Sequence, residues 1–500
     1  MNHCLLFNVV NPEKITTART SGVYRVAHHL RNNGWDVEVI DFAYAWTFEE
    51  LKALAMSRVT IDTKFFGFSH MFSTWNTNLE EFIGWSRTKW NLKYISGSSV
   101  NPLFESKQID YYIQGFGENA IEALLKYLFS NGERPIIRVN TGKRIINANA
   151  DYPSYPMEDL SIIYEKRDFI NQGEWLNVEF SRGCMFSCDF CNFPLIGIKE
   201  DTSRSSESFR EEMIRNYETW GVTNYTVADE TFNDRPSKIK KFADVVETLP
   251  FEPFYTGFVR GDLLVSRKED RVDMARMNFR GHYYGVESFN YQSAKAVGKG
   301  MKSERLKEGL VEVKNYFKQN GNGLYRGTIG LIIGLPYESK EDIVKTREWL
   351  LSNWVGESVF IWPLIIPDKE LEVKSKMFDH TKYGYTVMSD KTTVDNSLTV
   401  LNNEGMYWQN EHMNVVEAYS LVFDLFYNKQ FMEAMQCKVG NFELSSYCLH
   451  GDITTRLDKL SPTTLSALSK SNPEYVSKQF MFDFMRDKFI EDYKRRKLSL

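Results

Sequence analysis

Short apolar runs alternate with amphipathic stretches over residues 1–140, the pattern of a parallel sheet with helices on both faces. The segment Gly22–Asn33 places its apolar residues at helical spacing, and Asn33-Gly34 favours a helix end there. The pattern predicts one doubly wound, Rossmann-like domain. Its five predicted strands are Leu5–Val10, Val37–Ile40, Phe65–Ser69, Leu92–Ser96 and Tyr111–Gln114.

Residues 141–172 are polar and turn-rich, as in Tyr152–Pro156, which predicts a linker. A second alternation covers residues 173–366, in strand-helix units of roughly 30–45 residues, a spacing typical of parallel barrels. Six such units predict a partial (β/α)6, TIM-like barrel. Its predicted strands are Leu176–Ser181, Thr223–Ala228, Phe254–Phe258, His282–Val286, Thr328–Ile333 and Val359–Pro363.

Residues 367–500 are predicted to form a mainly helical C-terminal region. Helical spacing is strongest in Val415–Asn428 and Pro473–Lys497, and the stretch Met377–Asn402 is irregular. The predicted fold class is therefore α/β, with an N-terminal Rossmann-like sheet, a central partial barrel and a helical C-terminal region.

Composition narrows the classes of function. The 500 residues include 61 Lys plus Arg against 66 Asp plus Glu, and a net charge of −5 provides no general basic field for nucleic acid. The chain shows no apolar run of membrane-spanning length and no basic leader before its first apolar stretch. We therefore expect a cytoplasmic protein without a membrane or nucleic-acid partner.

The cysteines carry the clearest chemical signal. Cys184, Cys188 and Cys191 are three of only six cysteines and lie within eight residues, which indicates a metal centre in a reducing compartment. Three thiolates converging from one loop suit an iron-sulfur cluster that keeps one iron free, whereas ferredoxins and structural zinc sites normally use four ligands. The remaining cysteines are predicted to be ordinary half-buried residues: Cys4, Cys437 and Cys448.

The spacing Cys-x3-Cys-x2-Cys, with the aromatic Phe190 just before the last cysteine, resembles that of the radical S-adenosylmethionine (radical SAM) enzymes. The resemblance implies that Cys184, Cys188 and Cys191 hold a 4Fe-4S cluster. It also implies reductive cleavage of SAM to a 5'-deoxyadenosyl radical, a reductant such as flavodoxin or ferredoxin, and a small-molecule or modified-biomolecule substrate.

Further segments resemble the SAM-binding segments of that family, in family order. Asp229–Asn233 resembles the acidic segment near the methionine amino group, and Arg260–Asp262 resembles the Arg-x-Asp segment. Gly285–Ser288, followed by Lys299-Gly300, resembles the ribose-contacting motif, and Gly330–Glu338 the adenine-contacting strand. The SAM-binding residues that the resemblance implies are Phe190, Asp229, Glu230, Arg260, Glu287, Ser288, Gly330, Ile332 and Gly334.

Each segment alone has an ordinary explanation: Glu287 could cap a helix, Arg260 could form a surface ion pair, and the glycines could end a buried strand. Their predicted placement argues for a shared site. The carboxyl ends of parallel strands gather at one face of a barrel, where acids, glycines and thiolates can meet one small molecule.

Several segments of the N-terminal domain resemble the cobalamin-binding-type domain that often precedes a radical SAM core: Asn8–Pro12, Gly34–Asp41, Gly67–Ser69, Ser96-Gly97 and Gly115–Glu118. Asn11, Ser69 and Gly97 are its candidate ligand-contacting residues, because ligands of such sheets lie outside the strand carboxyl ends. Two features depart from the pattern: no Asp-x-His-x-x-Gly segment follows the first strand, and Ser96 replaces a glycine. Cobalamin binding and a degenerate, non-binding domain both remain open.

Three functions therefore compete. The first is a radical SAM enzyme that uses cobalamin, for methyl transfer to an unactivated carbon or for another radical reaction. The second keeps the radical chemistry without cobalamin. The third is an iron-sulfur protein for binding or electron transfer, which leaves the segments Gly285–Ser288 and Gly330–Glu338 unexplained.

Overall fold

The computed structural model describes residues 1–9, 19–70, 77–98, 108–140, 142–153, 155–172, 174–191, 202–321, 325–366, 375–387, 407–435 and 489–500. The chain divides into two compact units. One comprises Met1–Phe180, Thr202–Asn224 and Phe484–Leu500, and the other comprises Ser181–Asp201 and Tyr225–Asp483.

The first sheet contains seven strands: β1 His3–Val9, β2 Asp36–Ile40, β3 Thr63–His70, β4 Lys93–Ser98, β5 Tyr111–Gln114, β6 Arg138–Asn140 and β7 Lys143–Asn147. Their order is β2-β1-β3-β4-β5-β7-β6, and all neighbours are parallel except β6 and β7. The order β2-β1-β3-β4-β5 is that of a doubly wound sheet, so the five predicted strands and their Rossmann-like class are confirmed.

Helices cover this sheet, which explains why β1 is buried along its whole length. Phe7 on β1 packs against Phe66 and Phe68 on β3, with ring centroids 5.5 and 5.1 Å apart. One helix begins where Thr47 and Glu50 form a capping box. The helices of this part of the chain are Ser21–Asn32, Phe48–Arg58, Thr77–Lys89, Glu118–Phe129 and Ala148–Asp151.

The next strands are β8 Trp175–Val178, β9 Ser181–Arg182, β10 Thr202–Ser203, β11 Asn224–Val227, β12 Phe254–Val259, β13 Phe279–Glu287, β14 Arg326–Ile333 and β15 Ser358–Pro363. Six of them form the second sheet, in the order β15-β14-β13-β12-β11-β8. The pairs β12-β13, β13-β14 and β14-β15 are parallel. The predicted six-stranded partial barrel is confirmed. Its helices are Ser206–Trp220, Pro236–Val246, Gly261–Ser266, Lys268–Arg276, Tyr291–Ala296, Ser303–Asn320 and Lys340–Asn353.

The described C-terminal residues are mainly helical, as predicted, in Val415–Phe426, Lys429–Met435 and 489–498. A short antiparallel pair, β16 Thr386–Val387 and β17 Trp408–Gln409, precedes these helices. Most of the predicted helix Pro473–Lys497 lies outside the described residues, as do Cys437 and Cys448. Among the helices that the structure describes, none is long and apolar enough to cross a membrane.

Two features are not anticipated by the sequence patterns. The strands β6 and β7 extend the first sheet by residues that had no strand signal, and β7 lies within the stretch predicted as a linker. The final helix belongs to the first compact unit, where the Tyr493 hydroxyl accepts the amide of Asp41 at 2.9 Å and Lys497 pairs with Glu38 at 3.0 Å. The domain boundaries at residues 140, 172 and 366 stay predictions.

Candidate functional site

The three clustered cysteines lie in the loop that follows β9. Cys184, Cys188 and Cys191 are not joined in disulfides, and each is half-buried. The loop begins at Gly183, whose φ of +100° favours glycine, and the amide of Cys191 donates to the carbonyl of Cys188 at 3.1 Å. One short, turning segment therefore carries all three thiols.

The described residues contain no group of three His, Cys, Asp or Glu side chains arranged to hold one metal ion. The three thiols of the loop are therefore not arranged as a site for a single metal ion. An iron-sulfur cluster distributes its protein thiolates over separate iron atoms, so its ligands need not meet at a point. The donor set, three cysteines on one loop, fits such a cluster.

Two neighbouring side chains contact the thiols. The Cys184 sulfur lies 3.6 Å from the Thr231 hydroxyl oxygen, and the Cys188 sulfur lies 3.7 Å from Nη1 of Arg260. Burial raises the pKa of the Cys188 thiol, whereas the positive charges of Lys299 and Arg260 oppose that shift. Those cations would stabilise the thiolate form that a metal requires.

The acidic segment after β11 contains two carboxylates, Asp229 and Glu230, that have different hydrogen-bond partners. Glu230 is half-buried, and its Oε2 accepts the Gly183 amide at 3.2 Å, directly beside the cysteine loop. Asp229 is buried and accepts hydrogen bonds from the amide and hydroxyl of Ser181 at 3.2 and 2.6 Å and from Lys238 at 3.4 Å. Asp229 thus anchors the strand that leads into the loop, and Glu230 lines it.

The Arg-x-Asp segment after β12 forms a bidentate ion pair. Arg260 donates to Asp262 through Nε at 3.1 Å and Nη2 at 2.7 Å, and its guanidinium lies 4.0 Å from the ring centroid of Phe186. Burial alone would raise the pKa of Asp262, but its hydrogen bonds with Arg260 hold that pKa below its usual value. This fixed fork presents its third nitrogen to Cys188.

Glu287 closes β13 in a constrained conformation. Its φ of +67° lies in the left-handed region, which non-glycine residues rarely adopt, at a register shift between β13 and β14. Its carboxylate lies 3.3 Å from Lys299 Nζ, which also donates to the carbonyl of Gly285 at 2.7 Å. A Cβ on Gly285 would lie 2.7 Å from Glu287 Oε1, so a side chain there would displace the Glu287 carboxylate. Burial raises the pKa of Glu287, and Lys299 opposes that shift.

Glu338 joins the ends of β13 and β14 and is absent from the predicted site residues. Its Oε1 accepts the Ser288 hydroxyl at 2.6 Å, and its Oε2 accepts the Gly334 amide at 2.9 Å. Burial raises the pKa of Glu338 to about 7 despite these hydrogen bonds. The Gly-Leu-Pro-x-Glu pattern was the signal that could have identified it.

The glycines of β14 are required by their neighbours. A Cβ on Gly330 would lie 2.7 Å from the Tyr283 hydroxyl, and a Cβ on Gly334 would lie 2.4 Å from the Trp408 ring. Gly334 also has a φ of +92°. Ile332 and Phe190 are half-buried on β14 and in the cysteine loop, respectively.

The predicted residues of the first sheet fall into two groups. Ser69 and Gly97 are directly paired on β3 and β4, and a Cβ on Gly97 would meet no described atom within 4 Å. Asn11 lies outside the described residues. Burial lowers the pKa of His70, next to Ser69, to about 4, so its ring is neutral at pH 7.

Gln114, at the carboxyl end of β5, is a feature that the sequence patterns do not reveal. It is 3% exposed and pairs in register with Ser98 of β4. Neither its amide oxygen nor its amide nitrogen has a hydrogen-bond partner among the described residues. A buried polar group normally has such a partner, so this end of the sheet fits a polar ligand group.

Residues 178–350 match the family model described as the Radical SAM superfamily. No curated protein matches the chain. Among solved structures, the cobalamin-dependent SAM radical enzyme OxsB, with aqua-cobalamin and SAM bound, is 16% identical, with a TM-score of 0.54 over 99% of this chain and 72% of that chain.

A radical SAM methyltransferase, TsrM from Kitasatospora setae, is also similar. Its structure with tryptophan substrate and the SAM analogue aza-SAM bound is 13% identical, with a TM-score of 0.63, over 99% of this chain and 98% of that chain. Its structure with cobalamin and a [4Fe-4S] cluster bound has a TM-score of 0.61 at 13% identity over 99% of both chains. At these identities the likeness is one of fold. The resemblance to radical SAM enzymes that carry an N-terminal cobalamin-binding-like domain is confirmed.

Proposed function

We propose that this protein is a radical SAM enzyme that holds a 4Fe-4S cluster through Cys184, Cys188 and Cys191. The observation that carries the proposal is the grouping of three half-buried thiols with two ion pairs, Arg260–Asp262 and Glu287–Lys299, at the carboxyl ends of parallel strands. In parallel barrels this is the end at which ligands and reacting groups gather. The family match over residues 178–350 supports the same function.

When bound, the cluster would supply the electron that cleaves SAM to methionine and a 5'-deoxyadenosyl radical, which removes hydrogen from the substrate. The residues of this chain bind SAM and orient it. Glu230 and Glu287 supply carboxylate acceptors for the ammonium and ribose hydroxyl groups of SAM, which are charge-assisted contacts. Gly330, Ile332 and Gly334 belong to the strand and turn that would face the adenine ring, while Tyr283 and Trp408 fill the space beside the two glycines. Asp229 acts as a positioning residue through Ser181.

A second cofactor, cobalamin, is favoured by two observations on the first sheet. Among the described residues nothing lies within 4 Å of a Cβ built on Gly97, which pairs with Ser69, and the amide of Gln114 is buried without a described partner. With cobalamin the enzyme would be a methyltransferase or catalyse another radical reaction; without it, the first sheet is a degenerate domain. We further propose a small-molecule or modified-biomolecule substrate and a reductant such as flavodoxin or ferredoxin.

The proposal is tested by anaerobic reconstitution with iron and sulfide, followed by incubation with SAM and dithionite. We expect four irons per chain and formation of 5'-deoxyadenosine, detected by chromatography. The variant in which Cys184, Cys188 and Cys191 are replaced by Ala should bind no iron. The matched control replaces Cys4, Cys437 and Cys448 by Ala and should retain it.

Two outcomes would contradict the proposal. Loss of iron in the Cys4, Cys437 and Cys448 variant, with iron retained in the other variant, would overturn the ligand assignment. A stable cluster that yields no 5'-deoxyadenosine and does not bind SAM would favour an electron-transfer protein. Parallel samples with hydroxocobalamin show by absorption after gel filtration whether the first sheet retains cobalamin.

A further inference from the structure

One C-terminal segment, residues 375–387, contacts both the cysteine loop and the end of β14. It contains two short 3-10 turns, Lys376–Phe378 and His380–Tyr383, and ends in β16. Between the turns and the strand lies Gly384, whose φ of +81° reverses the chain direction. All of these contacts lie within the second compact unit.

On the cysteine loop, the segment binds one residue, Asp189, by its side chain and its backbone. Lys376 Nζ lies 3.0 Å from Asp189 Oδ1, and the Tyr383 hydroxyl donates to Asp189 Oδ2 at 2.8 Å. The amide of Met377 donates to the Asp189 carbonyl at 3.1 Å. Lys376 also donates to the Ser187 carbonyl at 3.0 Å.

Asp189 is held from its other side as well. Its amide donates to the carbonyl of Val297 at 3.2 Å, two residues before Lys299. Its amide, its carbonyl and both carboxylate oxygens are therefore all engaged. Asp189 lies directly between Cys188 and Phe190, so these contacts fix the backbone beside a proposed cluster ligand.

The same segment reaches β14 two residues after Tyr383. The Tyr385 hydroxyl donates to the Gly334 carbonyl at 2.8 Å, and Tyr385 packs edge-on against Trp408 at 5.2 Å between ring centroids. Trp408 in turn covers Gly334 and donates to the carbonyl of Leu364 at 2.8 Å. The cysteine loop and the β14 turn are thus tied to one short stretch of chain.

We propose that Asp189 is a positioning residue and that the 375–387 segment, acting through it, holds the cysteine loop in the conformation that accepts the cluster. This role rests on the proposed function, because it presupposes that the cysteine loop binds an iron-sulfur cluster. The physical basis is that hydrogen bonds to a charged carboxylate stabilise the closed loop, so that their loss favours its local opening.

The test measures alkylation of individual cysteines by iodoacetamide in the metal-free protein, with mass spectrometry to locate the label. Replacing Asp189 by Ala, or Lys376 by Met, should accelerate labelling of Cys188 and Cys191 by roughly tenfold or more, since each change removes charge-assisted contacts. Lys376→Arg preserves the charge and should restore slow labelling. Asp379→Asn is the matched control, because Asp379 is an exposed carboxylate of the same segment that contacts Thr381.

Cys4 provides an internal control within every sample. It is fully buried in β1 of the other compact unit, so global unfolding would expose it together with the loop cysteines. The proposal is overturned if Cys188 labelling is unchanged in Asp189→Ala, or if Cys4 labelling rises in parallel. Because this protein contains no metal during the assay, the result is independent of whether the proposed cluster forms. After reconstitution, the same variants should lose iron to a chelator at least several times faster than the wild type.

Discussion

The two parallel sheets differ in the chemistry of their carboxyl ends. In the second sheet these ends carry charged groups near a surface loop: Glu230, Arg260, Asp262, Glu287 and Lys299. In the first sheet the described ends of β3, β4 and β5 carry neutral groups, namely Ser69, His70, Gly97 and Gln114, and the carboxylate of Asp41 after β2 is already paired with Arg19. The difference predicts two kinds of ligand contact, charge-assisted in the second sheet and by shape and neutral hydrogen bonds in the first.

The first unit does contain charged residues, but these are used for folding. Arg19 is completely buried and forms ion pairs with Asp41 and Glu174, while its guanidinium also donates to the carbonyl of Asp168 at 2.8 Å. Comparison of the two regions therefore teaches that burial of charge alone does not mark a site. In the second sheet the ion pairs adjoin thiols and a residue with positive φ, which marks a site.

The largest expected effect concerns that buried network. Arg19→Met leaves the carboxylates of Asp41 and Glu174 buried without their cation and should lower the free energy of unfolding by about 3–5 kcal/mol. Urea denaturation measures it. The control is Lys340→Met, which removes an ion pair with Glu417 whose partners are 47% and 43% exposed and should cost under about 1 kcal/mol. If Arg19→Met and Lys340→Met lowered the free energy of unfolding equally, the claim that the buried charges of the first unit stabilise its fold would be wrong.

A second prediction uses the pH dependence of Glu338. Its pKa is about 7 in the folded state against 4.5 for an ordinary Glu, so the unfolded chain ionises first as pH rises. Stability should therefore fall between about pH 4.5 and 7, by about 3 kcal/mol in total, and then level off.

The measurement for Glu338 is the unfolding free energy at several pH values, in the wild type and in Glu338→Gln. The variant should lose this part of the pH slope, although removal of a hydrogen-bond acceptor for Ser288 or Gly334 lowers its stability overall. An unchanged slope in the variant would show that Glu338 titrates normally.

The third prediction compares SAM affinity with the free energy of unfolding in variants of the second sheet. Glu230→Gln and Glu287→Gln should each weaken SAM binding by roughly ten- to a hundredfold, because each removes a charge-assisted contact of about 1.5–3 kcal/mol. Glu287→Gln should lower the unfolding free energy less than Arg19→Met does, because burial already disfavours the charge of Glu287 in the folded state, although Lys299 loses its buried partner. Calorimetric titration with SAM measures the affinity, and urea denaturation measures the stability. A loss of stability without a loss of affinity would contradict the assignment of these two residues to SAM binding.

The smallest effect concerns the first sheet. Gln114→Leu replaces a buried amide that has no described partner, so it should raise the unfolding free energy of the cobalamin-free protein by about 1 kcal/mol. If the sheet binds cobalamin, the same variant should retain less of it after gel filtration. A gain in stability with no cobalamin bound by either protein would favour the degenerate domain.

Much of the fold could be predicted from local patterns. All eleven predicted strands are present, because buried parallel strands produce short apolar runs that stand out between amphipathic helices. Strands β6 and β7 were missed, since Arg138–Asn140 and Lys143–Asn147 are short and largely polar.

The contacts that organise the candidate site were less accessible from sequence. The pairs Asp189–Lys376 and Arg19–Glu174 join residues 187 and 155 positions apart, and no local periodicity encodes such partners. The positive φ of Glu287 could not be predicted either, because the residue type indicates such a conformation only for glycine. Motif spacing identified the candidate site residues, whereas their hydrogen-bond and ion-pair partners became visible only in the structure.

The central claim is that the cysteine loop holds a cluster with one iron open to SAM. The most direct measurement is the electron paramagnetic resonance spectrum of the reduced, reconstituted protein with and without SAM. Binding of SAM at the open iron should change the spectrum of the wild type, and the change should require a higher SAM concentration in Glu287→Gln. A cluster whose spectrum is the same at saturating SAM would contradict the claim.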